Sequence, residues 1–131
     1  MQAFIDTSYF FARLVRQDQW HSKAKKAAAA PNLAAVTSTL VINETASLLQ
    51  AKGMFQAALA FLSGIRGSPE IRIIHVDPAL QAEAWDLFGK WGAMGANVID
   101  CASFAIMRDL SIRKAFTFDQ HFRAAGFEIL R

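Results

Sequence analysis

The chain has 131 residues, 53% of them hydrophobic and 19% charged, which suits one domain with a full apolar core and excludes a disordered chain. A formal net charge of +3 and a pI near 9.4 permit a polyanionic partner without requiring one. One cysteine, Cys101, excludes an internal disulfide, the start Met1–Asp6 has no leader-like basic or apolar region, and the uncharged Ala27–Asn43 stretch is broken by Pro31 and Asn32, so a cytoplasmic, membrane-free protein is expected.

Short apolar runs of strand length alternate with helical patterns. Ala3–Ile5 reads as a first strand, and Phe10, Phe11, Leu14 and Val15 then recur at helical spacing. Trp20 to Ala30 continues as a second helix, with the Ala27–Ala30 run and Pro31 as its end. Ala34–Thr37 is a second strand. Leu40, Val41, Ala46, Leu48 and Leu49 follow on a helix capped by Ser38 or Thr39 and stopped by Gly53. Phe55 to Ile65 is helical, ending in the Gly64–Pro69 turn region, and Ile71–Val76 is a β-branched strand. Pro78 suits the first turn of the helix carrying Leu80, Trp85 and Leu87. Cys101–Leu110 is predicted as a helix, Ala115–Phe118 as a strand and Phe127–Leu130 as a short last strand. The order predicts a three-layer α/β/α fold over a mainly parallel sheet of about five short strands, in a single domain spanning 1–131.

Four acids stand at the ends of apolar runs: Asp6 after Ala-Phe-Ile, Glu44 in Leu-Val-Ile-Asn-Glu, Asp100 after Val-Ile, and Asp119 after Ala-Phe-Thr-Phe. Carboxylates in such places must be hydrated, paired or metal-bound. Brought together, they repel one another unless a cation fills the gap, and a hard, oxygen-seeking ion such as Mg²⁺ fits them. In open parallel sheets ligands bind beyond the carboxyl ends of the strands, at the point where strand order reverses. Asp6 and Asp119 each follow a strand, and Asp100 and Glu44 sit near helix starts, so all four can reach one rim.

Four fragments in order, Phe4-Ile5-Asp6-Thr7-Ser8, Thr37-Ser38-Thr39-Leu40-Val41-Ile42-Asn43-Glu44-Thr45, Asp100-Cys101-Ala102-Ser103-Phe104-Ala105-Ile106-Met107 and Phe116-Thr117-Phe118-Asp119-Gln120-His121-Phe122 with Gly126-Phe127, make the chain resemble the PIN-domain ribonucleases, the fold of VapC-type toxins. The resemblance implies an acidic metal pocket at Asp6, Glu44, Asp100 and Asp119, supported by Thr7 or Ser8, with Asn43 and Thr117 beside them. It further implies a Mg²⁺ (or Mn²⁺) cofactor, hydrolysis of single-stranded or looped RNA, and an antitoxin partner. Asp6, Asp100 and Asp119 are then the expected direct or water-bridged ligands, with Glu44 a ligand or an orienter of the attacking water. The alternative is a catalytically inactive PIN-like module that binds RNA or protein. Unlike the family pattern, Trp91–Ile99 holds no acid or hydroxyl, so the helix cap and any outer metal shell must differ there.

Each of these residues also has a plainer reading. Asp6 suits an Asx-turn or helix cap, Asp100 an N-cap, Asp119 an N-cap for a Gln120–Ala125 helix, and Glu44 a solvated helix face. Cys101 at a helix start has either a lowered pKa or, more simply, a small buried side chain. His21 and His121 read as surface helix residues, with contact to substrate phosphate the other possibility for His121, and His75 reads as structural. Lys23, Lys25, Lys26, Arg113, Lys114 and Arg123 are candidate contacts to an RNA backbone or ordinary solvated charges. Position 8 is a serine, where aspartyl-phosphate chemistry needs a second acid, and no Ser–His pair points to a covalent intermediate. Met54, Phe55, Ala58, Phe61 and Leu62, together with Trp85, Phe88 and Trp91, exceed what a small core hides. They are expected to form a homodimer face or a groove for an antitoxin helix.

Overall fold

The computed structural model describes residues 1–27 and 32–130. The expected Ala27–Ala30 helix end and Pro31 therefore lie largely outside the described residues. The elements run β1 (Gln2–Ile5), α1 (Thr7–Leu14), α2 (His21–Ala27), β2 (Ala34–Ser38), α3 (Thr39–Ala51), α4 (Phe55–Arg66), β3 (Ile71–Ile74), α5 (Pro78–Trp91), a 3₁₀ turn (Gly92–Met94), α6 (Val98–Asp109), β4 (Lys114–Phe116), α7 (His121–Ala124) and β5 (Glu128–Leu130). All strand pairs are parallel, in the order β3-β2-β1-β4-β5. The chain steps one way from β1 to β3, then crosses back over β2 and β1 to add β4 and β5. Right-handed crossovers place α1–α4 on one face of such a sheet and α5–α7 on the other, giving three layers. The β1–β4 seam, where the direction reverses, is the switch point at which such sheets bind ligands.

Local chemistry explains the boundaries. Ser38 caps α3, its hydroxyl accepting from the Val41 N–H at 3.2 Å. Asp77 caps α5 through the Leu80 N–H at 2.8 Å, with Pro78 at the first helical position, where its missing N–H costs nothing. Gly53, at φ +76°, turns the chain out of α3. The core is two-sided. Phe4, Ala3, Val36, Ala115 and Phe116 of the sheet are buried beneath Val41 on one side and Phe104, Ile106 and Met107 on the other.

Several expected boundaries and caps need correction. Strand β3 stops at Ile74 rather than Val76, where its partner β2 ends at Ser38, and β4 runs Lys114–Phe116 rather than Ala115–Phe118, because Thr117 and Phe118 leave the ladder to bond around Asp6. Helix α6 begins at Val98 rather than Cys101. Its N-cap is Asn97, not Asp100: the Asn97 amide accepts from the Asp100 N–H at 2.8 Å and the Asp100 carboxylate accepts from the Asn97 N–H at 2.9 Å, a reciprocal capping box. Cys101 consequently lies inside the helix, fully buried as the simpler reading expects, and burial followed by the Asp100 charge pushes its thiol pKa up rather than down.

Candidate active site

Asp6 leaves the end of β1 and caps α1, and its backbone N–H still pairs with the Phe116 carbonyl of β4 at 3.1 Å. Its side chain is 3% exposed. Oδ2 accepts from the Thr117 hydroxyl at 2.8 Å, the Ser8 hydroxyl at 2.9 Å and the Ser8 N–H at 3.4 Å. Each hydroxyl in turn accepts a backbone N–H from the segment after β4: Phe118 to Ser8 Oγ at 2.9 Å and Asp119 to Thr117 Oγ1 at 3.0 Å. Two hydroxyls thus tie the carboxylate at the end of β1 to the loop at the end of β4. The switch point is closed by hydrogen bonds between residues 111 apart in sequence. These bonds favour the ionised form, but burial outweighs them, with repulsion from Asp119 adding to it, and the Asp6 pKa is raised.

Asp100 reaches the same place from the first turn of α6. It is buried, and its pKa is raised to about 7, chiefly by desolvation and then by the charges of Asp6, Asp119 and Glu44, against the Asn97 N–H that lowers it. The other three acids expected to share a rim therefore all act on the Asp100 carboxyl group. Asp119 Oδ1 accepts the His121 N–H at 2.9 Å, an Asx-turn that starts α7. The N-cap position of that helix is taken by Gln120 instead. Glu44 is half-buried on α3.

The acids are not equally close. The ligand atoms that lie within 4.8 Å of one another belong to Asp100, Asp119 and His121; Asp6 and Glu44 fall outside that triangle and join it through their charges. Of the supporting residues, Ser8 and Thr117 are in the network. Thr7 Oγ1 is buried with no hydrogen-bond partner among the described residues, and Asn43 is exposed and outside the network. His121 is the residue that sequence reasoning left on the surface. Its Nδ1 stands 2.6 Å from Asp119 Oδ1, and its Nε2 is 3.0 Å from the Met94 carbonyl oxygen. The available signal was a histidine two residues after a strand-end aspartate; its partner Met94 lies 27 positions away, beyond any periodicity.

Among the candidate RNA contacts, Arg113 and Lys114 sit at the N-terminal end of β4, the edge opposite the acids. Lys23 lies on the acid side, its ammonium 5.1 Å from the centre of the Trp20 ring, which stacks on Phe118 at 5.1 Å. Arg123 is on α7, two residues beyond His121. His75 lies beyond β3 in a separate cleft of about 280 Å³ with Asp77, Glu83 and Asp109.

The PIN domain family model matches residues 3–128. The 23S rRNA-specific endonuclease VapC20 of Mycobacterium tuberculosis is 35% identical over 128 residues, covering 98% of this chain and 97% of that protein. The crystal structure of VapC20, described as a Sarcin-Ricin loop cleaving toxin, superposes with a TM-score of 0.88 over 95% of both chains. FitAcB from Neisseria gonorrhoeae shares the fold at 17% identity, with a TM-score of 0.68 over 100% of this chain and 97% of that one. PAE2754 from Pyrobaculum aerophilum does so at 15% identity, with a TM-score of 0.66 over 99% and 90%.

Proposed function

The chain belongs to the PIN-domain family, and on that premise we propose that it is a metal-dependent endoribonuclease, the toxin of a toxin–antitoxin pair, acting on looped RNA. The observation that carries the reading is the convergence on Asp100, whose proton affinity is raised by burial and by the charges of Asp6, Asp119 and Glu44. Buried carboxylates that repel one another are a site waiting for a cation.

The donor set fits a divalent ion. Asp100 and Asp119 offer oxygens within 4.8 Å of each other and of a ring nitrogen, and His121 Nδ1, 2.6 Å from Asp119 Oδ1, is a buried polar atom without a hydrogen-bond partner among the described residues. Asp100 and Asp119 would hold the ion directly, with Asp6 and Glu44, whose charges reach Asp100, acting through water. Mg²⁺ or Mn²⁺ there would supply Lewis-acid activation of the scissile phosphate and of the attacking water. The residues do the rest. The Ser8–Thr117 clamp fixes Asp6, and the capping box fixes the Asp100 carboxylate, so neither must reorganise when phosphate arrives. Glu44, half-buried on α3 and felt by Asp100 through its charge, is the residue we assign to orienting the attacking water. Lys23, over the Trp20 ring that stacks on Phe118, and Arg123, two residues beyond His121, are the basic residues we assign to the RNA backbone.

Exposed large apolar side chains form two patches in different layers: Phe55 and Leu59 on α4, 53% and 45% exposed, and Trp85 and Phe88 on α5, 61% and 42% exposed. Two patches suit two partners, a second copy of the chain and an antitoxin segment. A cytoplasmic setting accords with the RNA substrate, and no helix among the described residues is long and apolar enough to cross a membrane. The chain acts as one domain in this reading.

The test is cleavage of purified ribosomal RNA, beginning with the 23S rRNA loop that VapC20 is named for cutting. Discrete fragments that need Mg²⁺ or Mn²⁺ and vanish in EDTA are expected. Intact RNA under every metal condition would favour a binding module instead.

A further inference from the structure

We propose that His121 is a metal-binding residue of this centre. Its Nδ1 would join the carboxylates of Asp100 and Asp119, making the site nitrogen-bearing and biasing it toward first-row transition ions over Mg²⁺. The inference deepens the metal-nuclease reading and rests on it.

The argument begins at the far ring nitrogen. Nε2 lies 3.0 Å from the Met94 carbonyl oxygen. A carbonyl can only accept, so Nε2 carries the proton, and in the neutral ring Nδ1 is a bare lone pair. That lone pair is buried, has no hydrogen-bond partner among the described residues, and lies 2.6 Å from Asp119 Oδ1. Two electron-rich atoms so close repel unless a positive charge lies against both. With ligand bonds of roughly 2.1 Å, neighbouring donors on one octahedral ion stand about 3 Å apart and opposite ones about 4.2 Å. The donor atoms of Asp100, Asp119 and His121 lie within 4.8 Å of one another, and the 2.6 Å pair of Nδ1 and Asp119 Oδ1, tighter than neighbouring ligands on one ion, would open by a few tenths of an ångström on binding.

The second support is how the ring is held. A carbonyl on the non-coordinating nitrogen is the usual partner that fixes a metal-binding histidine's tautomer and orientation. Here it comes from the 3₁₀ turn Gly92–Met94, followed by Gly95 at φ +99°. A Cβ at Gly95 would stand 2.9 Å from His121 Nε2, so the glycine both adopts the left-handed turn and leaves room for the imidazole. This is the stretch that lacks the acids and hydroxyls common in the family. In their place it offers a carbonyl that aims a histidine. Mg²⁺ takes oxygen ligands, whereas imidazole nitrogen favours transition ions.

The alternative occupant of the gap is a proton, making His121 an imidazolium paired with Asp119. Pulsed electron paramagnetic resonance of Mn²⁺ bound to the whole protein separates the two, with Mn²⁺ and Mg²⁺ titrations by calorimetry alongside. Imidazole coordination predicts a directly bound ¹⁴N coupling in the wild type that disappears in His121→Gln. Mn²⁺ affinity should fall roughly ten- to a hundredfold in that variant, the scale of losing a ligand-orienting or ligand group, while Mg²⁺ affinity changes far less. His121→Ala serves as a second variant should the first not fold. Mn²⁺ bound without a ¹⁴N coupling, or an unchanged Mn²⁺-to-Mg²⁺ affinity ratio, overturns the inference and leaves the metal-nuclease reading standing. A wild type that binds neither ion overturns both.

Discussion

Replacing Asp100 by asparagine should stabilise the metal-free protein, by much more at pH 8 than at pH 5. Folding raises the Asp100 pKa from 3.8 to about 7, first through burial and then through the charges of Asp6, Asp119 and Glu44. A raised carboxyl pKa means the folded state holds the proton more tightly than the unfolded chain. Stability is therefore highest at low pH and is lost as pH rises between about 4 and 7. At about 1.4 kcal/mol per pH unit, the full penalty is on the order of 4 kcal/mol, of which about 3 kcal/mol accrues between pH 5 and 8. Asparagine keeps the oxygen that accepts the Asn97 N–H of the capping box but cannot ionise. Urea or thermal melts of both proteins in EDTA at pH 5, 6, 7 and 8 measure the effect, a difference on the order of 10 °C in Tm at pH 8 for a chain this size. Adding Mn²⁺ at 100 times its dissociation constant should return about 2.7 kcal/mol to the wild type and much less to the variant. A stability difference that does not vary with pH, or a variant less stable than wild type at pH 8, would refute the claim that the acids share one desolvated site.

Asp6→Asn should abolish RNA cleavage while circular dichroism stays native, and cleavage by wild type that continues in EDTA would count against the metal mechanism. Thr117→Val removes one hydroxyl donor to Asp6 and leaves the Asp119 N–H without its acceptor; a loss of about 2 kcal/mol in urea unfolding is expected, at the scale of hydrogen bonds to charged groups. Gly95→Ala forces a side chain into a φ of +99° against the His121 ring; it should cost about 1–2 kcal/mol by thermal melt and weaken Mn²⁺ binding in parallel. Trp85→Glu, at a 61% exposed position, should lower self-association or antitoxin capture in light scattering and pull-down while leaving Tm almost unchanged; a wild type that is monomeric and captures no partner would remove the reason for that patch.

The alternation of strands and helices was legible in the sequence because periodicity is a local property: each apolar run reports its own exposed and buried faces. The same locality explains why Asp6, Glu44, Asp100 and Asp119 stood out, since a carboxylate closing an apolar run needs a partner wherever the run packs. What periodicity cannot encode is adjacency. Only the order β3-β2-β1-β4-β5 sets β1 against β4 and lets the hydroxyl of Thr117 reach the carboxylate of Asp6. The start of α6 was misplaced for a related reason. Asp100 looks like a cap because aspartate favours caps, and the competing amide of Asn97 wins because it pairs with Asp100 in both directions. His121 and Gly95 were invisible as a pair, one read chiefly as a surface residue and the other as part of the Trp91–Ile99 stretch that departs from the family pattern. Their contact exists because two loops, after α5 and after β4, meet over the same switch point. Sequence thus determined which groups this protein carries to the ends of its strands; tertiary structure decided which of them touch, because contact across a sheet edge is set by strand order and crossover handedness.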